Sequence, residues 1–403
     1  CDQALHRAAE EARRTGNLAA TTDPTAYRLA DFVVVDINLD LDHADDAPYV
    51  PIERLDAAAR TIGAHMKPDA LIVVEATVPP GACQHVVAPA VAQALDQRGI
   101  TRDRFLLAHS YERVMPGAHY LHSITNMWRV YAGMNAVSAD ACEAFLGKIV
   151  NTSDYPMVRL ESTTASETAK VMENSFRAVN IAFIDEWTEF AERAGIDLFQ
   201  VIDAIRVRPT HANIRFPGFG VGGYCLTKDP LFAKAGARQI LNLNDVDFPF
   251  CEKAVQTNQH MPTRSVARLC SLVGELAGKR VLLLGASYRP DIDDTRFSPS
   301  EVFYRAVADE GASIDVHDPL VGYWQEIGVQ VLEQLPDPAQ YDAVVFAVAH
   351  QAYRELDIVS WLAPAKPTVL DANGVLDAQT RAALQRSGCR VRATGIGTQE
   401  QIP

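Results

Sequence analysis

The amino-acid sequence predicts an α/β protein in which two doubly wound domains are joined by a long central helix in a helical middle domain. Short apolar runs alternate with helical patterns before residue 133 and again after residue 278, which is typical of parallel sheets covered by helices on both faces. One uninterrupted helical pattern lies between them, and 403 residues are too many for one hydrophobic core. We therefore expect domains at residues 1–160, 161–262 and 278–403.

In the first domain, a helical pattern to about Arg14 precedes four apolar runs of strand length. A further helix is expected at about residues 52–66. The predicted strands lie at residues 31–35, 69–74, 104–108 and 128–132. Because they alternate with helices, they are expected to form a parallel sheet buried on both faces.

The middle domain is predicted around a single helix over residues 163–194. Ser/Thr caps and Glu167 mark its beginning, and Gly195 marks its end. Its apolar residues cover more than one stripe of the helix: Val171, Phe176, Val179, Ile181, Phe183, Ile184, Trp187 and Phe190. Such a helix lies at the centre of a helical domain or at a dimer interface, so we expect a homodimer.

The last domain repeats the strand-helix rhythm. Its predicted strands lie at residues 280–285, 313–316, 342–347, 368–370 and 390–392. In a doubly wound sheet of this kind, the ligand crevice is expected beyond the carboxyl ends of the strands.

Composition excludes several classes of protein. The chain is 48% hydrophobic and 22% charged, as globular proteins are, and its net charge of -14 has the wrong sign for coating nucleic acid or an anionic membrane. Seven scattered cysteines without a Cys-x-x-Cys pair favour a reduced, cytoplasmic setting, and no apolar run is long enough to span a bilayer. His119 and His122 have no further ligand cluster nearby in sequence, so we predict no metal.

The densest group of unusual residues is FPGFGVGGYCLTKDP at residues 216–230. Four glycines before Cys225 let the backbone approach a ligand, and Lys228 three residues later would favour a thiolate. The segment therefore fits a cysteine nucleophile. It fits equally well a glycine-rich turn with a bystander thiol.

Four other segments also suit ligand chemistry. Lys170 and Asn174 lie one turn apart on the predicted long helix and could hold an oxyanion, although an isolated pair also fits a solvated face. Residues 75–81 and 109–117 follow predicted strands at the edge where cofactors bind. Residues 285–299 carry two arginines suited to phosphate groups. Residues 75–81 and 109–117 could also be ordinary strand-to-helix turns, and residues 285–299 a salt-bridged loop.

Taken together and in order, these segments resemble the nucleotide-sugar 6-dehydrogenase family, which comprises the UDP-glucose, GDP-mannose and UDP-N-acetylhexosamine dehydrogenases of polysaccharide or glycoconjugate biosynthesis. The resemblance covers nearly the whole chain and implies two Rossmann-like domains. The matching segments are ATVPPG at 76–81, SYERVMPG at 110–117, KVMENSFRAVNIA at 170–182, GFGVGGYCLTKD at 218–229 and YRPDIDDTRFSP at 288–299.

The resemblance implies a four-electron oxidation of the C6 hydroxyl of a nucleotide sugar to a carboxylate with two NAD⁺. Cys225 would capture the aldehyde as a thiohemiacetal, and the second oxidation would leave a thioester for water to hydrolyse. Lys170 and Asn174 would stabilise the alkoxide or bind the attacking water. A UDP-N-acetylhexosamine is the favoured substrate because ERVMPG resembles that branch; UDP-glucose and GDP-mannose stay open.

The resemblance also implies roles for further residues. Asp229 would orient the water and Lys170, Glu112 would assist proton transfer, and Thr77 would lie beside the nicotinamide. Cofactor binding is expected from Thr77, Lys228 and Arg296. Nucleotide-sugar binding is expected from Phe216, Gly222, Arg289 and Arg208, the last of which would reach the substrate across the dimer interface.

The sequence departs from the family pattern at its beginning. The family's first strand and its G-x-G-x-x-G turn are missing, a strand-helix-strand unit of roughly forty residues, so the first Rossmann-like domain is expected to be incomplete. If these residues precede the present sequence, the protein is an ordinary dehydrogenase. If the natural chain lacks them, it is a catalytically impaired relative that binds a nucleotide sugar without a functional NAD site. Retention of Cys225, Lys170, Asn174 and Asp229 favours the dehydrogenase.

Smaller departures lie near the expected site. Tyr111 replaces the family's usual proline, the sequence INLD at 37–40 replaces VPTP, and DANG at 371–374 replaces a frequent D-x-R-N. A related two-electron hydroxyacid dehydrogenase would have a similar sheet and long helix, but it would need neither Cys225 nor a full third domain.

Overall fold

A computed structural model describes residues 2–44, 47–114, 117 and 119–397 of the chain. Met115 and Pro116 of the SYERVMPG segment, and Cys1 among the cysteines, lie outside the described residues. The chain separates into two compact units, the first formed by Cys1–Asn174 with Lys228–Phe248 and the second by Ser175–Thr227 with Pro249–Pro403. Both units take residues from the predicted middle domain, and the division into three domains stays a prediction.

The first unit contains seven strands in its described part. They are β1 (Phe32–Val35), β2 (Asp42–Ala44), β3 (Ala47–Tyr49), β4 (Leu71–Val74), β5 (Leu106–Tyr111), β6 (Val130–Gly133) and β7 (Val158–Arg159). Five of them form one sheet in the order β1-β4-β5-β6-β7, and β2 pairs with β3 as a separate hairpin. The predicted strands are thus present, with the first beginning one residue later than expected and the other three beginning two residues later.

The helices before residue 160 are α1 (Gln3–Arg14), α2 (Glu53–His65), α3 (Ala88–Gln97), α4 (Tyr120–Thr125) and α5 (Ala136–Leu146). Of these, α2, α3 and α5 pack against the sheet. The hydrophobic core joins α2 and α3 to the central strands, with Leu55, Ile72, Val74, Val91 and Leu95 all at most 1% exposed. Continuous apolar strands such as β4 are buried along their whole length, as a sheet covered on both faces requires.

One strand runs against the prediction of a wholly parallel sheet. β6 is antiparallel to β5, with Tyr111 opposite Val130. A parallel return needs a crossover that travels the length of the strand, usually along a helix. The only helix in this connection among the described residues is α4, whose six residues are too short to carry the chain back along β5.

The long helix α6 (Thr163–Arg193) confirms the helix predicted at 163–194 and passes from the first unit into the second. Gly195 follows it with a φ of +71°, the left-handed conformation that favours glycine at a helix end. Within the second unit, four aromatic side chains of α6 are about half exposed: Phe176, Phe183, Trp187 and Phe190. They form one exposed face of the helix, which is called the aromatic face below.

The second unit contains a second sheet. The strands of this sheet are β8 (Arg280–Leu284), β9 (Ser313–His317), β12 (Ala343–Phe346), β13 (Thr368–Asp371) and β14 (Val391–Ala393), while β10 (Tyr323–Trp324) and β11 (Val329–Gln330) pair separately. The order β14-β13-β12-β8-β9 is wholly parallel. The strand order reverses between β8 and β12, and ligands bind at such a switch point in doubly wound sheets.

The remaining helices complete the fold class predicted from the sequence. They are α7 (Leu198–Arg206), α8 (Tyr224–Ala235), α9 (Pro249–Val273), α10 (Pro299–Asp309), α11 (Gln351–Arg354), α12 (Ile358–Leu362) and α13 (Ala378–Arg386). Two α/β sheets of Rossmann-like type and a long central helix are therefore confirmed. No helix in the described part of the chain is long and apolar enough to cross a membrane.

Candidate active site

A buried polar cluster in the first unit brings together four of the predicted site residues. Asn174 Nδ2 donates a hydrogen bond of 2.7 Å to Asp229 Oδ2. Lys170 Nζ donates to the Glu112 carbonyl oxygen at 2.9 Å and lies 3.8 Å from Glu112 Oε1. Lys170, Asn174 and Asp229 are 7%, 4% and 1% exposed. This cluster thus holds an ammonium group, an amide and one carboxyl group with little access to water, beside the partly exposed carboxyl group of Glu112.

Local structure explains how these groups converge. Lys170 and Asn174 are four residues apart on α6 and share a face, as predicted from the sequence. Asp229 comes from α8, and Glu112 directly follows β5. Burial raises the pKa of Asp229, while the charges of Lys228 and Lys170 act in the opposite direction. A buried carboxylate with a perturbed pKa beside a cation is typical of a functional site.

Lys228, a predicted cofactor ligand, is engaged within the protein. Its Nζ donates to the Leu39 carbonyl oxygen at 2.6 Å, lies 3.5 Å from Asp229 Oδ1 and stands 4.6 Å from the ring centroid of Phe232. The ammonium group therefore ties the loop after β1 to α8. Its expected contact with the cofactor stays a prediction.

The loop after β4 carries Thr77, which is half-buried, and is fixed by a residue of α6. Glu167 accepts hydrogen bonds from the backbone N–H groups of Gly81 at 2.6 Å and Cys83 at 2.8 Å. The sequence pattern suggested that Glu167 marks the beginning of α6 as part of its cap. In the structure its carboxylate instead caps the helical turn that begins at Cys83. Burial raises the pKa of Glu167, and the backbone donors oppose that shift.

The residues at this edge of the first sheet fit a nicotinamide cofactor. The carboxyl ends of β4 and β5 supply the Thr77 hydroxyl and the Glu112 carboxyl group at the edge where doubly wound sheets bind their ligands. Gly81 has a φ of +93°, and a Cβ atom there would come within 2.9 Å of Ile240 and Leu241. Glycine at position 81 therefore lets the loop that carries Thr77 pack closely against Ile240 and Leu241.

In the second unit, the glycine-rich loop before Cys225 is fixed by contacts that the sequence pattern did not reveal. Asn258 binds both backbone groups of Val221, accepting from its N–H at 2.8 Å and donating to its carbonyl oxygen at 2.7 Å. A Cβ atom on Gly222 or Gly223 would collide with Tyr288. Cys225 follows as the second residue of α8, and its side chain is exposed.

The loop after β8 carries the two predicted arginines at the switch point of the second sheet. Arg289 is half-buried. Arg296 is exposed, its Nε donates to Asp294 Oδ1 at 2.9 Å, and its guanidinium lies 4.8 Å from the Tyr224 ring centroid. The hydrogen bond to Asp294 raises the pKa of Arg296. The positive charge of Arg296 is therefore paired with a carboxylate of its own loop.

A buried network, also missed from the sequence, fixes this loop. His350 is fully buried, its Nδ1 accepts from the Asp291 N–H at 3.1 Å, and its Nε2 lies 3.1 Å from Asp318 Oδ2. The same Asp318 oxygen accepts from the backbone N–H groups of Ala286 and Ser287 at 2.8 and 3.1 Å. The loop that carries Arg289 is thus bound at both of its ends.

The other predicted substrate residues also lie in the second unit. Phe216 stacks on Phe199 with 5.5 Å between ring centroids, and the guanidinium of Arg206 lies 4.6 Å from the Phe216 ring. Arg208 follows α7 and is exposed. In the described parts of the chain, no group of three or more His, Cys, Asp or Glu side chains could hold a metal ion.

Three family models match the chain in sequence. The NAD binding domain of the UDP-glucose/GDP-mannose dehydrogenase family matches residues 1–151, the central domain matches 164–260, and the UDP binding domain matches 282–378. The chain belongs to the UDP-glucose/GDP-mannose dehydrogenase family. It is an NAD-dependent nucleotide-sugar dehydrogenase with a UDP binding domain, as the sequence resemblance implied.

Individual members of the family show how far the similarity extends. The chain is 26% identical to a UDP-N-acetyl-D-mannosamine dehydrogenase of Methanocaldococcus jannaschii over 95% of this chain and 83% of that protein. It is 29% identical to an NDP-N-acetyl-D-galactosaminuronic acid dehydrogenase of Ralstonia solanacearum over 85% and 78%. A solved UDP-D-ManNAc dehydrogenase of Pyrococcus horikoshii has the same fold, with a TM-score of 0.82 at 23% identity, covering 100% of this chain and 89% of that one.

Proposed function

We propose that this dehydrogenase oxidises the C6 hydroxyl of a UDP-N-acetylhexosamine to a carboxylate in two successive oxidations, with Cys225 as the nucleophile. Two relatives are named as dehydrogenases of N-acetylated hexose nucleotides, which supports this substrate class over UDP-glucose and GDP-mannose. The single observation that carries the proposal is the buried cluster of Lys170, Asn174 and Asp229, since it provides the charges that this chemistry needs.

In the first oxidation, C6 loses a hydride and its hydroxyl loses a proton, which gives an aldehyde. When bound, NAD⁺ accepts the hydride that leaves C6 in each of the two oxidations. The Lys170 ammonium and the Asn174 amide would stabilise the negative charge that develops on the C6 oxygen, because a fixed charge and dipole in a dry site need no reorganisation. Glu112, whose carbonyl oxygen binds Lys170, would receive the proton.

In the second half, the Cys225 thiol would add to the aldehyde carbon and form a thiohemiacetal. Its position in the first turn of α8 supports this role, since helix N-termini favour thiolates. Loss of a second hydride and of the hydroxyl proton leaves a thioester. Asp229 would orient the water that hydrolyses the thioester to the carboxylate and regenerates the thiol.

We also assign binding roles and an assembly. Thr77, Lys228 and Arg296 would bind the cofactor, and Phe216, Gly222, Arg289 and Arg208 would bind the nucleotide sugar. The aromatic face of α6 supports a homodimer, with Arg208 reaching the partner's substrate. The cytoplasmic setting predicted from the scattered cysteines stays a prediction.

Replacement of Cys225 and Lys170 tests the chemistry. Cys225→Ser is expected to abolish acid formation, whereas Cys251→Ser, a second cysteine of the same unit, should leave it unchanged. Lys170→Ala should lower kcat by about two to three orders of magnitude, as loss of an oxyanion donor does, without weakening nucleotide-sugar binding measured by calorimetry. Unchanged turnover in Cys225→Ser or Lys170→Ala would reject the assigned role.

A further inference from the structure

We propose that Tyr111 is a positioning residue for Lys170: the face of its ring holds the ammonium group by a cation–π interaction. The expected effect of this contact on kcat rests on the catalytic role proposed above for Lys170. The contact itself does not depend on that role, because it is a property of the folded first unit. No feature of the family pattern assigns a function to this tyrosine, which stands where the family usually has proline.

The geometry of Lys170 requires a contact of this kind. Lys170 Nζ lies 5.4 Å from the centroid of the Tyr111 ring, and both residues are buried, at 7% and 1% exposure. Nζ also contacts the carbonyl oxygen and a carboxylate oxygen of Glu112. Cation–π attraction is strongest where water is excluded, so the buried ring stabilises the ammonium group in its present position.

The ring is itself fixed to the helix that carries Lys170. The Tyr111 hydroxyl donates to Glu173 Oε2 at 3.2 Å and accepts from Arg113 Nη2 at 3.1 Å. Arg113 Nη2 also donates to Glu173 Oε2 at 3.0 Å, so the charge of Arg113 is matched. Glu173 lies three residues after Lys170 on α6. One face of α6 therefore sets both the ammonium group and the ring that contacts it.

The chemical state of Tyr111 suits this role. Burial raises the pKa of its phenol to about 12, so the ring stays neutral at working pH and keeps a hydroxyl proton to donate to Glu173. The backbone also uses the residue, because β5 extends to Tyr111 and pairs it with Val130. Proline would supply neither an aromatic face nor a backbone N–H at this position.

Two substitutions separate the aromatic face from the hydroxyl. Tyr111→Phe keeps the face and should retain kcat within about threefold, whereas Tyr111→Leu removes it and should lower kcat about tenfold with the nucleotide-sugar KM unchanged. Tyr111→Met, which also lacks a π face, serves if the leucine variant folds poorly. Tyr131→Leu removes a buried tyrosine from neighbouring β6 and should lower the melting temperature comparably without changing kcat.

An NMR measurement tests the contact without activity. In protein labelled with [ε-¹³C]lysine, the Lys170 methylene protons should resonate upfield because they lie over a ring; Lys170→Arg assigns the signal among eight lysines. The shift should persist in Tyr111→Phe and disappear in Tyr111→Leu. The Lys228 signal is an internal control: Lys228 lies over the ring of Phe232, so its chemical shift should be the same in the wild type and in both Tyr111 variants.

The outcomes separate this proposal from the proposed function. Equal kcat in the Phe and Leu variants, or a Lys170 signal that does not move in Tyr111→Leu, overturns the positioning role even if the wild-type enzyme forms two NADH. If the wild-type enzyme forms no NADH with any nucleotide sugar while the Lys170 signal moves as expected, the proposed function fails and the contact stands.

Discussion

His109 lies within β5 and is fully buried. Burial lowers its pKa to about 3, and the charge of Lys170 acts in the same direction. Its Nδ1 lies 2.8 Å from Ser166 Oγ on α6. The imidazole is therefore neutral throughout the working pH range and supports α6 as a hydrogen-bonding group rather than as a proton carrier.

The neutral His109 makes stability depend on pH. A histidine in the unfolded chain has a pKa of about 6.5, whereas His109 in the folded protein has a pKa of about 3. Between these values the unfolded state holds more protons, so the free energy of unfolding falls as pH falls, by up to about 1.4 kcal/mol per unit from this group. In urea titrations between pH 4.5 and 7.5, His109→Gln should show a correspondingly shallower slope. Parallel slopes would contradict the buried neutral state.

At the scale of residues, the sequence indicated the candidate catalytic groups better than the groups that hold them in place. The resemblance to the family pattern singled out Lys170 and Asn174, and their four-residue spacing on a helix predicted that they share a face. Asn258, which fixes Val221, and His350, which fixes the Asp291 loop, left no such signal, since their partners are 37 and 59 residues away. Contacts between distant segments are created by folding and have no local pattern.

Among the elements, α6 supports the first unit's cluster along one side. Glu167, Lys170 and Glu173 follow one another at three-residue spacing, and Asn174 lies four residues after Lys170. They contact, in turn, the Thr77 loop, Glu112, Arg113 and Asp229. The position of Lys170 and Asn174 relative to the Thr77 loop therefore depends on one helix.

Glu167→Gln tests this dependence. The amide that replaces one carboxylate oxygen cannot accept from a backbone N–H, so one of the Gly81 and Cys83 donors loses its partner in a buried place. The free energy of unfolding should fall by about 1–3 kcal/mol, and amide hydrogen exchange at Gly81 and Cys83 should accelerate. Glu186→Gln, at an exposed position of the same helix, should change neither quantity. Unaltered exchange in the Glu167 variant would mean that the carboxylate does not fix this turn.

Apolar periodicity predicted which segments form strands and which form helices, but it did not predict the direction of a strand within its sheet. The apolar run at 128–132 predicted β6, but nothing in the run distinguishes a parallel strand from an antiparallel one. Direction is set by the connection, and the decisive feature was the shortness of α4. The hairpin of β2 and β3 was also missed, since three-residue strands are too short to show a period.

At the scale of the whole molecule, the aromatic face of α6 predicts self-association. Light scattering of the wild-type protein should give twice the chain mass of 44.1 kDa. Trp187→Arg places a charge in that face and should raise the dimer dissociation constant about thirtyfold or more, as loss of an aromatic hot spot does. Trp128→Arg, similarly exposed in the first unit, should leave the dimer intact. A wild-type mass of 44.1 kDa would contradict the assembly.

The stoichiometry of NADH formation tests the central claim most directly. Purified protein, whose N-terminus is first established by intact mass, is mixed with excess NAD⁺ and a limiting amount of a UDP-N-acetylhexosamine, with UDP-glucose and GDP-mannose in parallel. Absorbance at 340 nm gives the NADH formed, and mass spectrometry gives the sugar product. We expect two NADH for each UDP-N-acetylhexosamine consumed and a uronic acid product. One NADH with an aldehyde product, or none with any sugar, would contradict the four-electron mechanism through Cys225.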